Sequence, residues 1–179
     1  ITSPSGTADT MEALANVGVS MDQMHHIVKK TNGCIVWGGA LDLSPADDII
    51  INVEHPLELD SEGQMIASIL SKKKSVGSTH VLLDIPVGET AKITSNLHAK
   101  RLKRRLEKVG KALGMQVKVV ITDGSQPIGR GIGPALEAED VMRVLRGSYD
   151  QPQRLRSKAI EMAGIVLEMG GAARQGKGK

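Results

Sequence analysis

Two short apolar runs, residues 79–85 and 115–121, bracket a stretch in which Leu102, Leu106, Val109 and Leu113 recur at four-three-four spacing. That spacing lines one face of an α-helix. The flanking runs are too short for helices and read as buried strands, the first stopped by Pro86-Val87-Gly88 and the second followed by a Gly-rich loop over 122–134. Strand and helix therefore alternate, which suits a layered α/β fold, a sheet with flanking helices.

The remaining chain reads in the same terms. Ala8, Met11, Leu14 and Ala15 predict a helix over 8–16, ended by Asn16-Val17-Gly18. Ser20 precedes a second, with Met21, Met24, Ile27 and Val28, closed by Asn32-Gly33. Cys34-Ile35-Val36-Trp37 reads as a short buried strand. Pro45 suits the first position of a helix reaching about Glu54, with Ser44 as N-cap. Further helices are expected over 61–74, from Thr94 to Gly114, over 135–146 and over 152–169. The tail, 170–179, is polar and Gly/Lys-rich and is expected to be flexible.

Composition narrows the function classes. The 179 residues are enough for one domain with a full core. With one Trp, one Tyr and no Phe, the core must come from Ile, Val, Leu, Met and Ala. Stacking platforms for single-stranded nucleic acid need several aromatics and are excluded. The charge is uneven, net −8 over residues 1–63 and +11 over the rest. The basic stretch from Lys100 to Lys111 lies opposite the leucine stripe and reads as a solvated face, with a nucleic-acid surface as the alternative. Cys34 is the only cysteine, which rules out an intrachain disulfide and a cysteine zinc site. His25 and His26 are adjacent and lack metal-ligand spacing, so no metal is expected. No apolar run approaches membrane-spanning length, and a cytoplasmic location is the default expectation.

Several segments could carry chemistry. Ser3, Ser5, Gly6 and Thr7 crowd ahead of the first helix; such a loop can gather around an anion, or its hydroxyls and Asp9 can simply cap the helix. Ligands of open α/β sheets bind beyond the strands' carboxyl ends, here Trp37-Gly38-Gly39, 84–88 and 122–124, with Lys92 just past the second. On the helix over 61–74, Ser68 and Lys72 share one face. Asp60 stands at its start, either as N-cap with the lysines as dipole partners or as a proton donor beside a bound polar ligand. Asp47-Asp48, an adjacent acidic pair, reads as helix N-terminal chemistry rather than the metal pair of a phosphoribosyltransferase.

Together the stretches ITSPSGTADTME, KTNGCIVWGGALDLSPADDIII, LDSEGQMIASILSKKKSVGSTHVLLDIPVG and VVITDGSQPIGRGIGPALEAEDVMRVL resemble the thymidine phosphorylase family, most closely its archaeal-type AMP phosphorylase branch. The resemblance implies that residues 1–169 are part of the large α/β nucleotide- and phosphate-binding catalytic domain of a pyrimidine nucleoside phosphorylase-like enzyme. It implies phosphorolysis of nucleoside 5′-monophosphates (AMP, also CMP and UMP) to free base and ribose 1,5-bisphosphate. Inorganic phosphate is the co-substrate and no other cofactor is expected. By the resemblance, Ile1, Thr2 and Ser3 end the nucleotide-binding loop and Thr7 binds the attacking phosphate. Asp60 protonates the leaving base, Ser68 and Lys72 contact the base, and Lys92 binds the nucleotide. Pyrimidine-specific members carry an Arg where Val53 stands, so losing that guanidinium favours a nucleotide over thymidine. The family's upstream phosphate loop, its dimerising helical domain and its C-terminal domain have no counterpart in the sequence. The parent enzyme is expected to be a homodimer or larger, and the chain alone is expected to be inactive. Neither a membrane nor a nucleic acid is an expected partner.

Overall fold

The leucine stripe is where the structure closes. In the computed structural model, which describes residues 5–41, 44–54, 56–57 and 61–179, Leu102 and Leu106 lie on helix α5 (Asn96–Ala112) and are almost wholly buried. They pack on strands β1 (His80–Val87) and β2 (Gln116–Asp123), which pair in parallel from His80 opposite Gln116 to Val87 opposite Asp123. Ile66 and Leu70, from helix α4 (Glu62–Ser75), complete a core with Val81, Ile85, Ile93, Ala99, Met115 and Val119. The β1–α5–β2 run is thus the mixed α/β arrangement that the periodicity implies, with a two-stranded parallel sheet among the described residues. Its core contains no aromatic residue.

Two features bring α5 close to β2. Gly110 has no side chain because there is no room for one: a Cβ there would run into the Val117 side chain. Beyond it, Lys103 Nζ donates to the Val119 carbonyl at 2.7 Å, and the Val119 N–H donates to Glu107 Oε1 at 3.2 Å. Side chains of the helix thus occupy backbone groups that would otherwise invite another strand. Part of the basic stretch is therefore structural rather than simply solvated.

The chain divides into two compact units, Leu43–Ser125 with Ala159–Lys179, and Thr2–Asp42 with Gln126–Lys158. The first holds the sheet, α3 (Pro45–Glu54), α4 and α5. The second holds α1 (Thr7–Glu12), α2 (Met21–Thr31), a 3₁₀ turn (Gly38–Leu41) and α6 (Pro134–Leu145). The division falls within α7 (Gln153–Met169).

Local signals set most boundaries. Ser20 and Gln23 form a reciprocal capping box on α2, which Asn32 ends in the left-handed region at φ 61°. Ser61, not Asp60, is the N-cap of α4, accepting from the Gln64 N–H. Ser95 caps α5 and shifts its start past Thr94. Helix α1 stops at Glu12, short of residue 16, where the Asn16 side chain accepts from the Gly18 N–H in a turn of its own. Residues 34–37 form no strand. Cys34, Ile35 and Trp37 are exposed, because a four-residue apolar run without a neighbouring strand has no ladder to join. At the other end of the chain, the Gly176 and Gly178 N–H groups both donate to Glu168 Oε1 at 3.0 Å. No described helix is long and apolar enough to cross a membrane.

Leu106→Ala should lower unfolding free energy by about 2–5 kcal/mol in denaturant titration, since it leaves a cavity in the tightest layer. Gly110→Ala should destabilise too, although alanine in an open helix position would stabilise by about 1 kcal/mol.

Candidate functional site

The described residues place an acid where the sequence suggested only helix-end chemistry. Asp47, in the first turn of α3, is 5 % exposed. A buried carboxylate needs donors, and α4 supplies three from one stripe. Gln64 Nε2 donates to Oδ1 at 3.2 Å, Ser68 Oγ donates to Oδ2 at 2.8 Å, and Lys72 Nζ lies 2.9 Å from the same Oδ2. These residues recur at i, i+4 and i+8, so one helical face carries them all. Burial by itself would raise the Asp47 carboxyl. The Lys72 and Ser68 hydrogen bonds, the Lys72 charge and the Gln64 bond outweigh it and hold the carboxyl below its ordinary value. Asp47 is therefore ionised at neutral pH. Ser44, just ahead of α3, and Ser71 of α4 add a hydroxyl pair at 3.4 Å.

Ser68 and Lys72 are thus brought together, as their spacing predicts, but around a third residue that sequence reasoning missed. Both remain half-exposed at this helix face. The signal was present as an acid in the first turn of one helix and three donors in register on the next. Nothing local joins them, since Asp47 and Ser68 are 21 residues apart.

The first turn of α4 carries a second ion cluster. Glu62 meets Arg105 at 2.9 Å, Arg101 at 3.2 Å and His98 at 3.3 Å. Burial pushes its carboxyl up, and the Arg105 and Arg101 charges with His98 outweigh that and lower it.

At the carboxyl ends of the strands, Thr122 Oγ1 donates to Asp84 Oδ1 at 2.7 Å. The loops after β1 and β2 touch there. A Cβ on Gly88 would stand 2.6 Å from the Gly124 carbonyl carbon, so both positions need glycine. Lys92 is exposed on the loop after β1, between buried Ala91 and Ile93, and the Gly88 N–H donates to the Ile93 carbonyl at 3.2 Å to fix that loop.

In the other unit, Thr7 opens α1 and is exposed. It does not cap the helix, whose N-cap is Gly6 without a side-chain bond. The backbone just ahead is held by α6. Glu137 Oε1 accepts from the Ser5 N–H at 3.0 Å and from the Gly133 N–H at 3.1 Å. One turn on, Asp140 Oδ2 accepts from the Arg130 and Gly131 N–H groups. Glu137 and Asp140 are both buried, and they pin the Gly-rich loop that precedes α6. Ile1, Thr2, Ser3 and Asp60 lie outside the described residues. Among the described residues no group of three or more His, Cys, Asp or Glu side chains is placed to hold a metal.

The first unit thus combines a parallel α/β layer with a polar cluster, Asp47 of α3 met by Gln64, Ser68 and Lys72 of α4. The chain is homologous over nearly its whole length to curated proteins named putative thymidine phosphorylase. It is 61 % identical over 178 residues to "Putative thymidine phosphorylase 1" of Acidovorax sp. (strain JS42), covering 99 % of this chain and 35 % of that protein. It is 56 % identical over 179 residues to "Putative thymidine phosphorylase" of Legionella pneumophila (strain Corby), and 54 % over 178 residues to "Putative thymidine phosphorylase" of Hahella chejuensis (strain KCTC 2396), with 35 % of each covered. The chain therefore spans about a third of the length of these relatives. No protein-family model matches it.

Asp47 has a lowered folded-state value, so its contribution to stability is present above the ordinary 3.8 and is lost as pH falls through the folded value. Unfolding free energy should decline below about pH 4, and Asp47→Asn should flatten that acid limb. Asp47→Ala should cost about 1–3 kcal/mol, from donors left unpaired at a partly exposed site. Denaturant titrations at a series of pH values measure both.

Proposed function

We propose that this chain supplies part of a phosphorolysis site, at which phosphate cleaves the N-glycosidic bond of a nucleoside or nucleotide. The observation that carries the reading is 54–61 % identity over nearly the whole chain to proteins named putative thymidine phosphorylase. In this reaction the C1′–N bond breaks as a phosphate oxygen bonds C1′, and the base leaves with a proton on the departing nitrogen. Positive charge develops on the sugar and negative charge on the base, so positioned groups supply most of the acceleration.

The residues fall into roles on that reading. Thr7 holds the attacking phosphate from the first turn of α1, and Ile1, Thr2 and Ser3 end the nucleotide-binding loop. Ser68 and Lys72 contact the base, Lys92 offers a cation to the nucleotide, and Asp60 delivers the proton. Phosphate is a co-substrate, and no resident cofactor is required. We assign the domain to the catalytic α/β part of a cytoplasmic homo-oligomer.

The substrate we favour is a nucleoside 5′-monophosphate such as AMP, CMP or UMP. Support comes from Val53, which is exposed near the end of α3 and offers no guanidinium to a pyrimidine carbonyl. The relatives' names favour a second reading, thymidine.

The test is base release, followed by chromatography, from AMP, CMP, UMP and thymidine with phosphate, using the longest natural protein that carries this sequence. Release from nucleotides but not thymidine is expected. Thymidine cleavage alone would move the assignment to the second reading, and no cleavage of any of them would end both. The 179-residue chain alone, spanning 35 % of its relatives' length, is expected to release little or no base.

A further inference from the structure

The hydrogen at Ser68 is already committed. A serine hydroxyl has one proton to donate and two lone pairs to offer. Here the proton goes to Asp47 Oδ2 at 2.8 Å. Asp47 also faces the Lys72 ammonium at 2.9 Å and the Gln64 amide at 3.2 Å, and an ionised carboxylate only accepts. Toward any ligand, Ser68 Oγ is left with lone pairs alone. Lys72, one turn on along the same face, is the converse: an ammonium has protons and no lone pair. The face therefore presents an acceptor and a donor side by side, in an order set by a residue behind them.

We propose that Asp47 is a specificity-determining residue: by taking the Ser68 proton and anchoring Lys72, it makes the pair select a base that offers an N–H donor beside an acceptor. The amino group and neighbouring ring nitrogen of adenine or cytosine have this order, as do the N3–H and carbonyl of uracil and thymine. A base with two acceptors and no N–H meets lone pairs at Ser68. This rests on Ser68 and Lys72 contacting the base. Asp47 touches neither base nor phosphate on this account, so its role is positioning.

The test compares substrates that differ only in that N–H. For a purine-cleaving enzyme the pair is AMP against purine riboside 5′-monophosphate, with N6,N6-dimethyl-AMP as a second analogue. For a pyrimidine-cleaving one it is thymidine against N3-methylthymidine. The wild type should lose at least about tenfold in kcat/KM on the analogue, the order of one well-made hydrogen bond. In Asp47→Asn the carboxamide can donate to Ser68, freeing the hydroxyl proton, and the preference should shrink to within about threefold. Ser68→Ala, which removes the acceptor, should do the same and serves if the Asn variant folds poorly. A ratio of two substrates on one preparation is unaffected by the fraction folded, so a purely structural role would leave it unchanged. A wild type that cleaves both substrates equally, or variants that keep the full preference, would overturn the assignment while leaving the phosphorylase reading intact. A wild type that cleaves no nucleoside or nucleotide at all would remove both.

Discussion

A carboxylate taken out of water must be met by donors, and the described residues are organised around three such groups. Asp47 in one unit collects a lysine, a hydroxyl and an amide. Glu137 and Asp140 in the other collect four backbone N–H groups. Leaving such a group unpaired costs several kcal/mol, so each acid dictates where its donors sit. Asp47 fixes how α3 approaches α4. Glu137 and Asp140 fix a glycine-rich loop that has little side-chain packing of its own. The hydrophobic core supplies the bulk of stability, but it is tolerant of small shifts between aliphatic surfaces. Hydrogen-bonded acids are not, and they convert a generic α/β layer into one specific set of loop and helix positions.

How far this could be read from sequence follows from the same distinction. The β1–α5–β2 layer was legible because periodicity is a local property: Leu102 and Leu106 point inward on any helix that contains them. Caps were nearly as legible, although α4 took Ser61 over Asp60, a one-residue choice between two good capping groups. Asp47 was not legible. Its donors lie 17, 21 and 25 positions on, and neither its neighbours nor its helix position distinguishes a buried acid from an ordinary first-turn carboxylate. The error at Cys34-Ile35-Val36-Trp37 has the opposite origin. A short apolar run carries the local signal of a strand, but a strand exists only if a partner is adjacent, and that is not a local property.

The acids also change how the basic half of the chain reads. Seen as a list, Lys100 to Lys111 is a positive stripe available to a polyanion. In three dimensions Arg101 and Arg105 are drawn to Glu62, while Lys103 holds the Val119 carbonyl and pairs with Glu107 at 3.7 Å. The residues spent in this way brace α5 against α4 and β2. Charge counted along a sequence overstates charge offered to a partner wherever the same side chains are structural.

That accounting bears on how a site of this kind divides its work. A nucleobase is neutral at pH 7, and an unbalanced cation beside it would favour any anion equally. Pairing Lys72 with Asp47 at 2.9 Å removes most of that net attraction and leaves the direction of its N–H groups. On the proposed reading, in which Ser68 and Lys72 contact the base, recognition then rests on hydrogen-bond order, which distinguishes bases, rather than on charge, which does not. Phosphate demands the reverse: a fixed anion is best met by a cation or by aligned backbone N–H groups. On the proposed reading that part falls to the Lys92 ammonium, on its anchored loop beyond β1, with the Thr7 hydroxyl at the head of α1. A chain that must hold both a neutral ring and an anion benefits from silencing the charge at one and keeping it at the other. On the proposed reading, Asp47 of α3 is the residue that turns Lys72 of α4 from a bare charge into a directional donor.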